Sequence, residues 1–570
     1  MATVALSSQA RSAALDAMSS GGELDVLIIG GGVTGAGSAL DAVTRGLRVG
    51  IVEARDWSSG TSSRSSKLLH GGLRYLEMLD FGLVKEALHE RGLLLSKLAP
   101  HLARPISFLY PLTHRVWERP YVGSGVLLYD MMAASSSTAR GLPRHRHLPK
   151  RHALREAPAL NPDSFTGAIK YWDGQVDDAR FVMTLIRTAA GYGALCASRT
   201  ELVGFLKEAD RIIGANLVDS ETGHEYTVHA KQVINATGVW TDEVQALAGE
   251  HGQFEVRASK GVHIVVPRNR IRSDTGLILR TEKSVLFVIP WGRHWIVGTT
   301  DTDWTLGKVH PAATASDINY LLDHVNKVLA VPLTRDDIEG VYAGLRPLVA
   351  GRADSTAKLS REHLVAHVAP GLVVIAGGKY TTYRVMAADA VDEAVREIGV
   401  QVPESVTSDV LLVGADGYAA LWNQRSSLAA RTKLPVARLE HMLHRYGSLV
   451  GELLDLIKQD PSLGEPLAGA EDYLRAEVVY AASHEDARHL EDVLTRRTRI
   501  SVEIWDRGLA AARPAAELLA GVLGWDDEDV EREVARYHQR VDAEKAASAL
   551  PDDEAAEEAR LAAPDIVTSA

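Results

Sequence analysis

The chain has 570 residues, 46% of them hydrophobic, with 62 Lys and Arg against 74 Asp and Glu and a formal net charge of −12. That length and apolar content allow a large core and predict two to four domains. The acidic balance argues against a nucleic-acid partner, because no basic excess is present to neutralise phosphates. The single cysteine, Cys196, excludes disulfides within the chain and thiolate metal clusters, which is typical of a reducing compartment.

Composition divides the chain into four parts. Residues 1–22 are rich in Ala and Ser without the apolar core of a signal peptide, so we predict a disordered leader. Residues 23–400 alternate strand-like and helical segments, and residues 401–541 carry apolar residues at helical spacing. Residues 542–570 are rich in Ala, Glu and Asp and predict a disordered acidic tail. No apolar run reaches the roughly 18 residues that a spanning helix needs.

Residues 24–53 carry the most informative pattern. An apolar strand leads into Gly30-x-Gly32-x-x-Gly35, a helical segment follows, and a second apolar strand ends at Glu53. Gly30 permits a tight turn, Gly32 lets the backbone approach a pyrophosphate, and Gly35 lets helix and strand pack closely. The helix N-terminus offers N–H groups and a partial positive charge to phosphates. Glu53 is placed to bind ribose hydroxyls and would repel a 2′-phosphate, which disfavours NADP and leaves NAD and FAD open.

Three further segments favour FAD over NAD. The run Gly60–Tyr75 combines small hydroxyl residues and glycines with the charged groups His70 and Arg74. Asn235–Gly238 forms a small turn at a strand end, and Gly377–Lys379 offers bare N–H groups and a cation to flavin atoms N1 and O2, which gain negative charge on reduction. FAD is long and is touched by widely spaced segments, whereas no second intact GxGxxG is present for a nicotinamide dinucleotide.

The ordered set of motifs resembles the FAD-dependent glycerol-3-phosphate dehydrogenases, the aerobic, quinone-linked branch of the D-amino-acid-oxidase-like flavoproteins. The resemblance extends over residues 24–540. It rests on the segments Gly30–Gly37, Thr61–Glu77, Val176–Arg180, Asn235–Gly238, Lys260–His263, Ile289–Trp291, Gly298–Asp301, Gly344–Pro347, Gly377–Arg384 and Leu490–Arg499. It implies an α/β (α+β) fold, in which a Rossmann-type FAD-binding domain carries an inserted antiparallel-sheet substrate domain and is followed by a C-terminal all-helical domain.

The resemblance implies oxidation of sn-glycerol 3-phosphate to dihydroxyacetone phosphate, with non-covalently bound FAD as hydride acceptor and a quinone as final acceptor. A phosphate dianion needs cations in fork geometry. Arg74 and Arg346 match the family's positions, and Lys379 is a third cation nearer the flavin. Removal of the hydroxyl proton requires a base, for which His70 and His263 are candidates. We favour His70, because it stands among the flavin-wrapping residues, with His263 positioning the substrate.

The predicted site residues fall into three overlapping groups. Those predicted to hold FAD are Gly30, Gly32, Thr34, Gly35, Glu53, Thr61, Ser62, Ser65, Ser66, Lys67, Leu68, Gly71, Ala236, Gly238, Gly378, Lys379, Thr381 and Thr382. Those predicted to bind the substrate are Arg74, Tyr75, His263, Arg346 and Lys379. Those predicted to take part in catalysis are His70, His263, Arg346, Lys379 and Arg74.

Several conspicuous residues are given structural interpretations instead. The run Arg144–His147 lacks carboxylate or thiolate partners, so we predict a solvated loop and no metal site. Arg180 is expected to form an ion pair at a helix start, and Asp301 to organise a turn rather than act as a base. The arginines of residues 488–499 indicate a solvated or domain-docking face.

A quinone is lipid-soluble, so its reductase must meet a bilayer. Residues 114–133 mix Arg, Trp, Tyr and aliphatic side chains, a composition typical of an interfacial anchor, although an ordinary core helix explains it equally well. We therefore expect a cytoplasmic protein attached peripherally to the inner face of the cell membrane. A homodimer is implied by the resemblance alone.

Three alternative functions stay open. A glycerol-3-phosphate oxidase would share these motifs and pass electrons to O2. An amino-acid oxidase or dehydrogenase of the same fold needs a cation for a carboxylate but gives little reason for the cluster of Arg74, Arg346 and Lys379. A non-catalytic flavoprotein would bind FAD that glycerol 3-phosphate cannot bleach. The motifs do not identify the quinone.

Overall fold

The computed structural model describes residues 4–72, 80–114, 117–134, 142–249, 255–281, 285–349, 363–399, 401–563 and 565. The strands in these ranges are β1 (Leu24–Ile29), β2 (Val49–Val52), β3 (Leu68–Leu69), β4 (Arg104–Leu112), β5 (Arg146–Pro149), β6 (Gly167–Gln175), β7 (Leu195–Ala197), β8 (Thr200–Glu208), β9 (Arg211–Asp219), β10 (Glu225–Asn235), β11 (Val256–Pro267), β12 (Gly276–Arg280), β13 (Val285–Trp291), β14 (His294–Gly298), β15 (Thr302–Trp304), β16 (Gly340–Val349), β17 (His363–Ala369), β18 (Leu372–Gly377), β19 (Pro466–Leu467) and β20 (Ala470–Leu474).

The helices in the same ranges are α1 (Ser8–Ser20), α2 (Val33–Thr44), α3 (Phe81–Leu93), α4 (Glu118–Ala134), α5 (Lys150–Glu156), α6 (Asp178–Gly191), α7 (Thr241–Leu247), α8 (Ala315–Asn326), α9 (Tyr383–Val395), α10 (Tyr418–Asn423), α11 (Arg425–Thr432), α12 (Val436–Tyr446), α13 (Val450–Gln459), α14 (Arg475–His484), α15 (Ile500–Glu503), α16 (Leu509–Leu523), α17 (Asp527–Ala549) and α18 (Asp553–Leu561). Leu94–Leu98 and Asp492–Arg497 are π-helical turns.

The first sheet has the strand order β17-β18-β10-β1-β2-β7, and β18, β10, β1, β2 and β7 run parallel. β17 is an antiparallel edge, and β8 and β9 extend β10 as an antiparallel layer. Helices α2, α6 and α9 cover one face, and α1 packs on the other. The parallel strands are apolar almost throughout because both of their faces are covered. This is the Rossmann-type domain that the fingerprint predicts.

The second sheet has the order β15-β11-β14-β13-β12-β4-β6-β3, with β16 paired to β11 and β5 to β6. Its strand pairs are antiparallel except β12 with β4. Helix α8 packs its apolar stripe on one face, and α3 and α4 lie over the other. The sheet matches the predicted antiparallel insertion. The predicted loop Arg144–His147 is partly wrong, because β5 begins at Arg146 and pairs with β6.

The C-terminal helices form two apolar clusters and are interrupted by the short β19–β20 hairpin. They dock through buried charges on the half of the molecule that contains the parallel sheet. Arg496 and Arg497 both donate to Asp56, and Arg180 pairs with Glu485. The predicted ion pair of Arg180 is confirmed, and the arginines at 496–499 are buried docking residues rather than a solvated face.

The prediction of a disordered leader at residues 1–22 is wrong for residues 4–22, which the structure describes. Helix α1 begins after Ser7, whose side chain accepts from the Ala10 N–H at 3.2 Å, and its apolar stripe is buried on the sheet. Arg11, in the first turns of this helix, pairs with Asp219 at 2.6 Å. Ala and Ser are compatible with a helix once packing supports it, and the carboxylate partner lies 208 residues away.

The prediction of a disordered tail at residues 542–570 is also wrong for the residues described. Helix α17 continues to Ala549, and α18 follows. Lys260, fully buried in β11, pairs with Asp553 of α18, and the Gly307 N–H donates to Glu557. The acidic side chains of this segment contact donors that are distant in sequence, and no local sequence pattern reveals those contacts.

Helix α4 contains most of the segment predicted as an interfacial anchor. Its inner side buries Val122, Val126 and Tyr129. Its outer side carries exposed large apolar residues, and these are Tyr121, Leu127 and Met131, with Trp117 just before the helix. None of the helices in the described ranges has the length and hydropathy to span a bilayer.

Candidate active site

A large cavity of about 510 Å³ lies where the carboxyl ends of the parallel strands meet the antiparallel sheet. Ligands of open α/β sheets bind at this edge. The predicted site residues that line it are Gly30, Gly32, Thr34, Glu53, Thr61, Ser62, Ser65, Ser66, Leu68, His70, Ala236, Gly238, His263, Arg346, Gly378, Lys379 and Thr381. Segments more than 300 residues apart in sequence therefore form one site.

The first glycine turn fits a dinucleotide phosphate. Gly30 has φ +113°, and a Cβ there would lie 2.8 Å from the Ala236 carbonyl oxygen. A Cβ on Gly35 would lie 1.9 Å from the carbonyl oxygen of Gly30, so helix α2 approaches the turn more closely than a side chain allows. Gly32 is the N-cap of α2, and its extended backbone brings the helix N-terminus to the cavity. These are the backbone features that a pyrophosphate requires.

Glu53 stands at the end of β2 and lines the same cavity. Its carboxylate accepts from the backbone N–H groups of Gly31 at 2.7 Å and Arg55 at 2.9 Å. Burial raises the pKa of Glu53, while both N–H donors oppose the rise. Each carboxylate oxygen retains lone-pair capacity for ribose hydroxyls, so the predicted role fits the geometry.

Asp178 anchors the Ser-rich segment and was not predicted. Its carboxylate accepts from the Ser65 N–H at 2.9 Å, the Ser65 hydroxyl at 2.7 Å and the Lys67 ammonium at 2.7 Å, and it also pairs with Arg499. Lys67, predicted as a cofactor residue, does not line the cavity, because its cation is buried in this ion pair. Only the Val-Asp-Asp-Ala-Arg motif before α6 signals the anchor.

Three more predicted cofactor residues, Gly35, Gly71 and Thr382, shape the turns without lining the cavity. The Gly71 N–H donates to the Tyr129 hydroxyl at 2.8 Å, and the Thr382 hydroxyl donates to the Lys379 carbonyl at 3.4 Å. The predicted substrate residues Arg74 and Tyr75 lie outside the described residues.

His263 is held as a neutral imidazole at the cavity wall. Its Nε2 lies 2.8 Å from the Ser66 hydroxyl, and its ring stacks on Tyr342 with centroids 4.8 Å apart. Burial first, and then the cations of Arg346 and Lys67, hold the pKa of His263 well below its ordinary value. Tyr342 was missed by the sequence analysis, because only the β11–β16 register places it opposite His263.

Arg346 reaches the cavity with its guanidinium fixed. Nη1 donates to Asp301 at 3.2 Å, and Nη2 donates to the Thr299 hydroxyl at 3.0 Å and the Thr300 carbonyl at 3.1 Å. Asp301 also accepts from Ser259, so this carboxylate orients a cation. A guanidinium fixed in this way holds its positive charge in a defined position for an incoming anion.

The third turn brings Lys379 and His70 to the same wall. Gly377 and Gly378 both have positive φ, at +76° and +78°, and Lys379 follows them before α9. The Thr381 hydroxyl accepts from the His70 N–H at 3.1 Å and lies 3.3 Å from the His70 carbonyl oxygen. His70, His263, Arg346 and Lys379 thus border one cavity, which Arg55 and Arg64 also line.

Residues 25–385 match the family model described as FAD dependent oxidoreductase, and residues 405–530 match that of the C-terminal domain of alpha-glycerophosphate oxidase. The protein is therefore an FAD-dependent oxidoreductase, and FAD fits the glycine turns and Glu53 described above. In the described ranges, no group of three His, Cys, Asp or Glu residues is placed to hold a metal ion.

The relatives narrow this class. Glycerol-3-phosphate dehydrogenase 2 of Mycobacterium tuberculosis is 58% identical over 543 residues, which cover 95% of this chain and 92% of the relative. Glycerol-3-phosphate dehydrogenase of Mycobacterium leprae is 56% identical over 96% of this chain and 93% of the relative. The crystal structure of the Bacillus halodurans glycerol-3-phosphate dehydrogenase with FAD aligns with a TM-score of 0.77 at 26% identity, covering 94% and 97%. The chain belongs to the glycerol-3-phosphate dehydrogenase family.

Proposed function

We propose that this protein oxidises sn-glycerol 3-phosphate to dihydroxyacetone phosphate and delivers the electrons to a membrane quinone. The observation that carries the proposal is the fixed guanidinium of Arg346 at the wall of an FAD-fitting cavity, beside Lys379 and two histidines. The names of relatives that are 56–58% identical over nearly the whole chain support the substrate. When bound, FAD supplies the hydride acceptor.

In this proposal Arg346 binds the substrate phosphate. Its guanidinium is held by Asp301 and Thr299, so its positive charge has a set position at the cavity wall. Arg74 and Tyr75 are proposed to complete the substrate site on the family's pattern. Lys379 contributes a cation at the turn that leads into α9.

We propose His70 as the base for the C2 hydroxyl proton and His263 as a neutral hydrogen-bonding group. Because the pKa of His263 lies well below its ordinary value, its imidazole is a weak proton acceptor. Its Nε2 is also engaged by Ser66. His70 is half-buried and borders the same cavity.

Anaerobic mixing of the FAD-loaded enzyme with sn-glycerol 3-phosphate tests the reaction itself. We expect sn-glycerol 3-phosphate to cause rapid loss of the oxidised-flavin absorbance, whereas glycerol and small amino acids should cause little loss. An unchanged spectrum would indicate a non-catalytic flavoprotein, and bleaching by amino acids would indicate the amino-acid branch of the fold. Peroxide yield in air, compared with reduction of a soluble quinone, separates an oxidase from a dehydrogenase.

The base is tested by comparing His70→Asn and His263→Asn in single-turnover flavin reduction across pH. We expect His70→Asn to remove the acid limb of the pH profile and to slow reduction most. His263→Asn should lower the rate while leaving that limb in place. Parental rates in both variants would exclude both residues as the base.

We propose that the exposed apolar side of α4 contacts the membrane and that the protein lies at the cytoplasmic face. Trp117, Tyr121, Leu127 and Met131 supply aromatic and aliphatic groups on one side of a helix whose other side is buried. Such a face is typical of interfacial attachment.

Co-sedimentation with phospholipid vesicles tests this contact. Replacing Trp117, Leu127 and Leu128 with Ser should move the protein to the supernatant, whereas Val331→Ser, at a residue that is 62% exposed elsewhere, should not. Equal pelleting of both variants would contradict the proposal. The proposed homodimer, which rests on the family resemblance, is tested by sedimentation velocity in detergent.

A further inference from the structure

A second cavity, of about 80 Å³, lies between the FAD-binding half, the antiparallel sheet and the C-terminal helices. Arg64 borders both this cavity and the large one. The charged groups on its walls are strongly one-sided. The Lys and Arg residues that line it are Arg64, Lys67, Arg499, Arg507, Arg540, Lys545 and Arg560, and Glu544 is the carboxylate that lines it.

Some of these cations have carboxylate partners of their own. Lys67 and Arg499 are paired with Asp178, and Arg540 pairs with Glu544 at 2.9 Å. Arg540 Nε also lies 3.7 Å from Glu491. The remaining positive charge therefore belongs to other residues of the wall.

Arg64, Arg507 and Arg560 carry that excess. Within the described residues, neither Arg64 nor Arg507 has a hydrogen-bond or ion-pair partner for its guanidinium. Arg560 is only 4% exposed, its Nε lies 3.8 Å from the already shared Glu544, and its Nη1 has no hydrogen-bond partner among the described residues. Burial first, and then the nearby Arg540, lower the pKa of Arg64 to about 10, while Glu544 and Glu491 oppose the shift.

A buried hydroxyl completes the pattern. Ser501 is 6% exposed, lines the cavity, and its Oγ has no hydrogen-bond partner in the part of the chain that the structure describes. Unpartnered buried donors are costly, and a buried guanidinium without a counter-charge is more so. Water molecules fit a cavity of this size and satisfy donors, but they do not balance charge.

We propose that this cavity binds a small oxyanion of the phosphate class, at a site separate from the substrate cavity. Two negative charges and several acceptor oxygens on one centre match three guanidinium groups and a hydroxyl better than a monovalent, planar anion does. Its volume, about 80 Å³ against about 510 Å³ for the large cavity, excludes a dinucleotide. The bound anion would join the FAD-binding half at Arg64 to the C-terminal helices at Arg560.

Calorimetric titration of the FAD-loaded enzyme with inorganic phosphate, at constant ionic strength set by chloride, tests the proposal. The proposed function expects the substrate site to bind phosphate as well, so the titration uses Arg346→Gln as background. This variant should still bind one phosphate per chain. Adding Arg560→Gln should weaken that binding by about tenfold or more, since it removes a charge-assisted bond. Ser501→Ala should weaken it less.

Arg513→Gln is the matched control, because this arginine of α16 is about half-exposed and far from both cavities. It should leave phosphate binding unchanged. No binding in the Arg346→Gln background, or equal affinity in the Arg560→Gln, Ser501→Ala and Arg513→Gln variants, would overturn the proposal. Ser501→Ala alters little volume and so decides the matter if Arg560→Gln fails to fold.

Two further arms identify the source of the anion and its structural effect. Methyl phosphate in place of inorganic phosphate distinguishes a monoester from the free ion. Thermal unfolding should shift upward with phosphate in the Arg346→Gln background and shift much less with Arg560→Gln added, because a ligand of the folded state stabilises it by mass action. An equal upward shift in both would argue against the site.

Discussion

The two sheets that enclose the large cavity build their shares of the site by different means. The parallel sheet contributes main-chain groups, since its turns at Gly30, Gly238 and Gly378 are shaped by positive φ. The antiparallel sheet contributes side chains, and its His263 and Arg346 are held by hydrogen bonds, stacking and ion pairs from neighbouring strands. The part of the site built from main-chain groups depends on the absence of Cβ atoms. The part built from side chains depends on the neighbouring residues that hold each functional side chain in place.

This difference has a consequence for mutation. A single methyl group added at one of the glycine turns should abolish FAD binding, because the backbone atoms that it meets cannot move aside. The substrate half should instead lose function in graded steps as individual supports are removed. Four substitutions, in decreasing order of expected effect, test this contrast.

Gly35→Ala should have the largest effect. Its Cβ would lie 1.9 Å from the Gly30 carbonyl oxygen, so α2 must shift away from the turn that faces the cofactor. We expect the purified protein to lose most of its FAD, measured as the ratio of flavin to protein absorbance. Gly82→Ala is the control, since a Cβ there meets nothing within 4 Å. Full FAD retention in Gly35→Ala would break the proposed contrast.

Asp178→Asn should be next, and it tests a place where the cofactor half depends on a charge. The substitution leaves Lys67 and Arg499 buried with one carboxylate fewer, and breaking such a pair costs about 3–5 kcal/mol. We expect that loss in the free energy of unfolding by urea, with faster FAD release. Asp163→Asn, at an exposed position, should change neither. An unchanged unfolding midpoint would show that Asp178 does not brace the Ser-rich segment.

Arg346→Lys tests the substrate half directly. Lysine keeps the charge but loses the fork that Asp301 and Thr299 orient. Since a charge-assisted hydrogen bond is worth about 1.5–3 kcal/mol, kcat/KM for glycerol 3-phosphate should fall by about tenfold or more. Arg293→Lys, at a side chain that is 79% exposed, is the control. Equal kcat/KM in both variants would remove Arg346 from the substrate site.

Ser66→Ala should have the smallest effect. It removes the hydrogen bond to Nε2 of His263 but leaves the stack on Tyr342, so the ring keeps most of its position. One neutral hydrogen bond is worth about 0.5–1.5 kcal/mol, which predicts a roughly 2- to 13-fold slower flavin reduction.

The pH range matters for this last measurement. The pKa of His263 lies well below the ordinary histidine value, so its imidazole stays neutral above about pH 6.5. The factor by which Ser66→Ala slows flavin reduction should therefore be constant above that pH. Ser12→Ala, on the exposed side of α1, is the control. A loss that varies steeply with pH in that range would show that His263 titrates there.

Part of the site could be predicted because its chemistry is local. The turn at Gly30 and the carboxylate of Glu53 lie within 24 residues of each other, and their spacing alone encodes strand, turn, helix and strand. The supporting residues could not be predicted in this way. Tyr342 reaches His263 through strand register, and Asp178 reaches Lys67 across 111 residues.

The predictions for Lys67 and for the two chain ends differ from the structure for the same physical reason. Lys67 stands among hydroxyl residues that do line the cavity, yet a buried carboxylate from α6 draws its cation the other way. The two chain ends are weakly apolar or acidic and predict disorder on composition, but each finds its counter-charge in a distant strand, at Asp219 and at Lys260.

The sequence by itself therefore determined the family and the cofactor, because glycines at fixed spacing act through the backbone next to them. Only the tertiary structure decided which charged side chains face the cavity and which form the buried ion pairs that support its walls. Ion pairs form between side chains that meet after folding, and the cationic cavity at Arg64 and Arg560 arises where such charges meet without enough carboxylates.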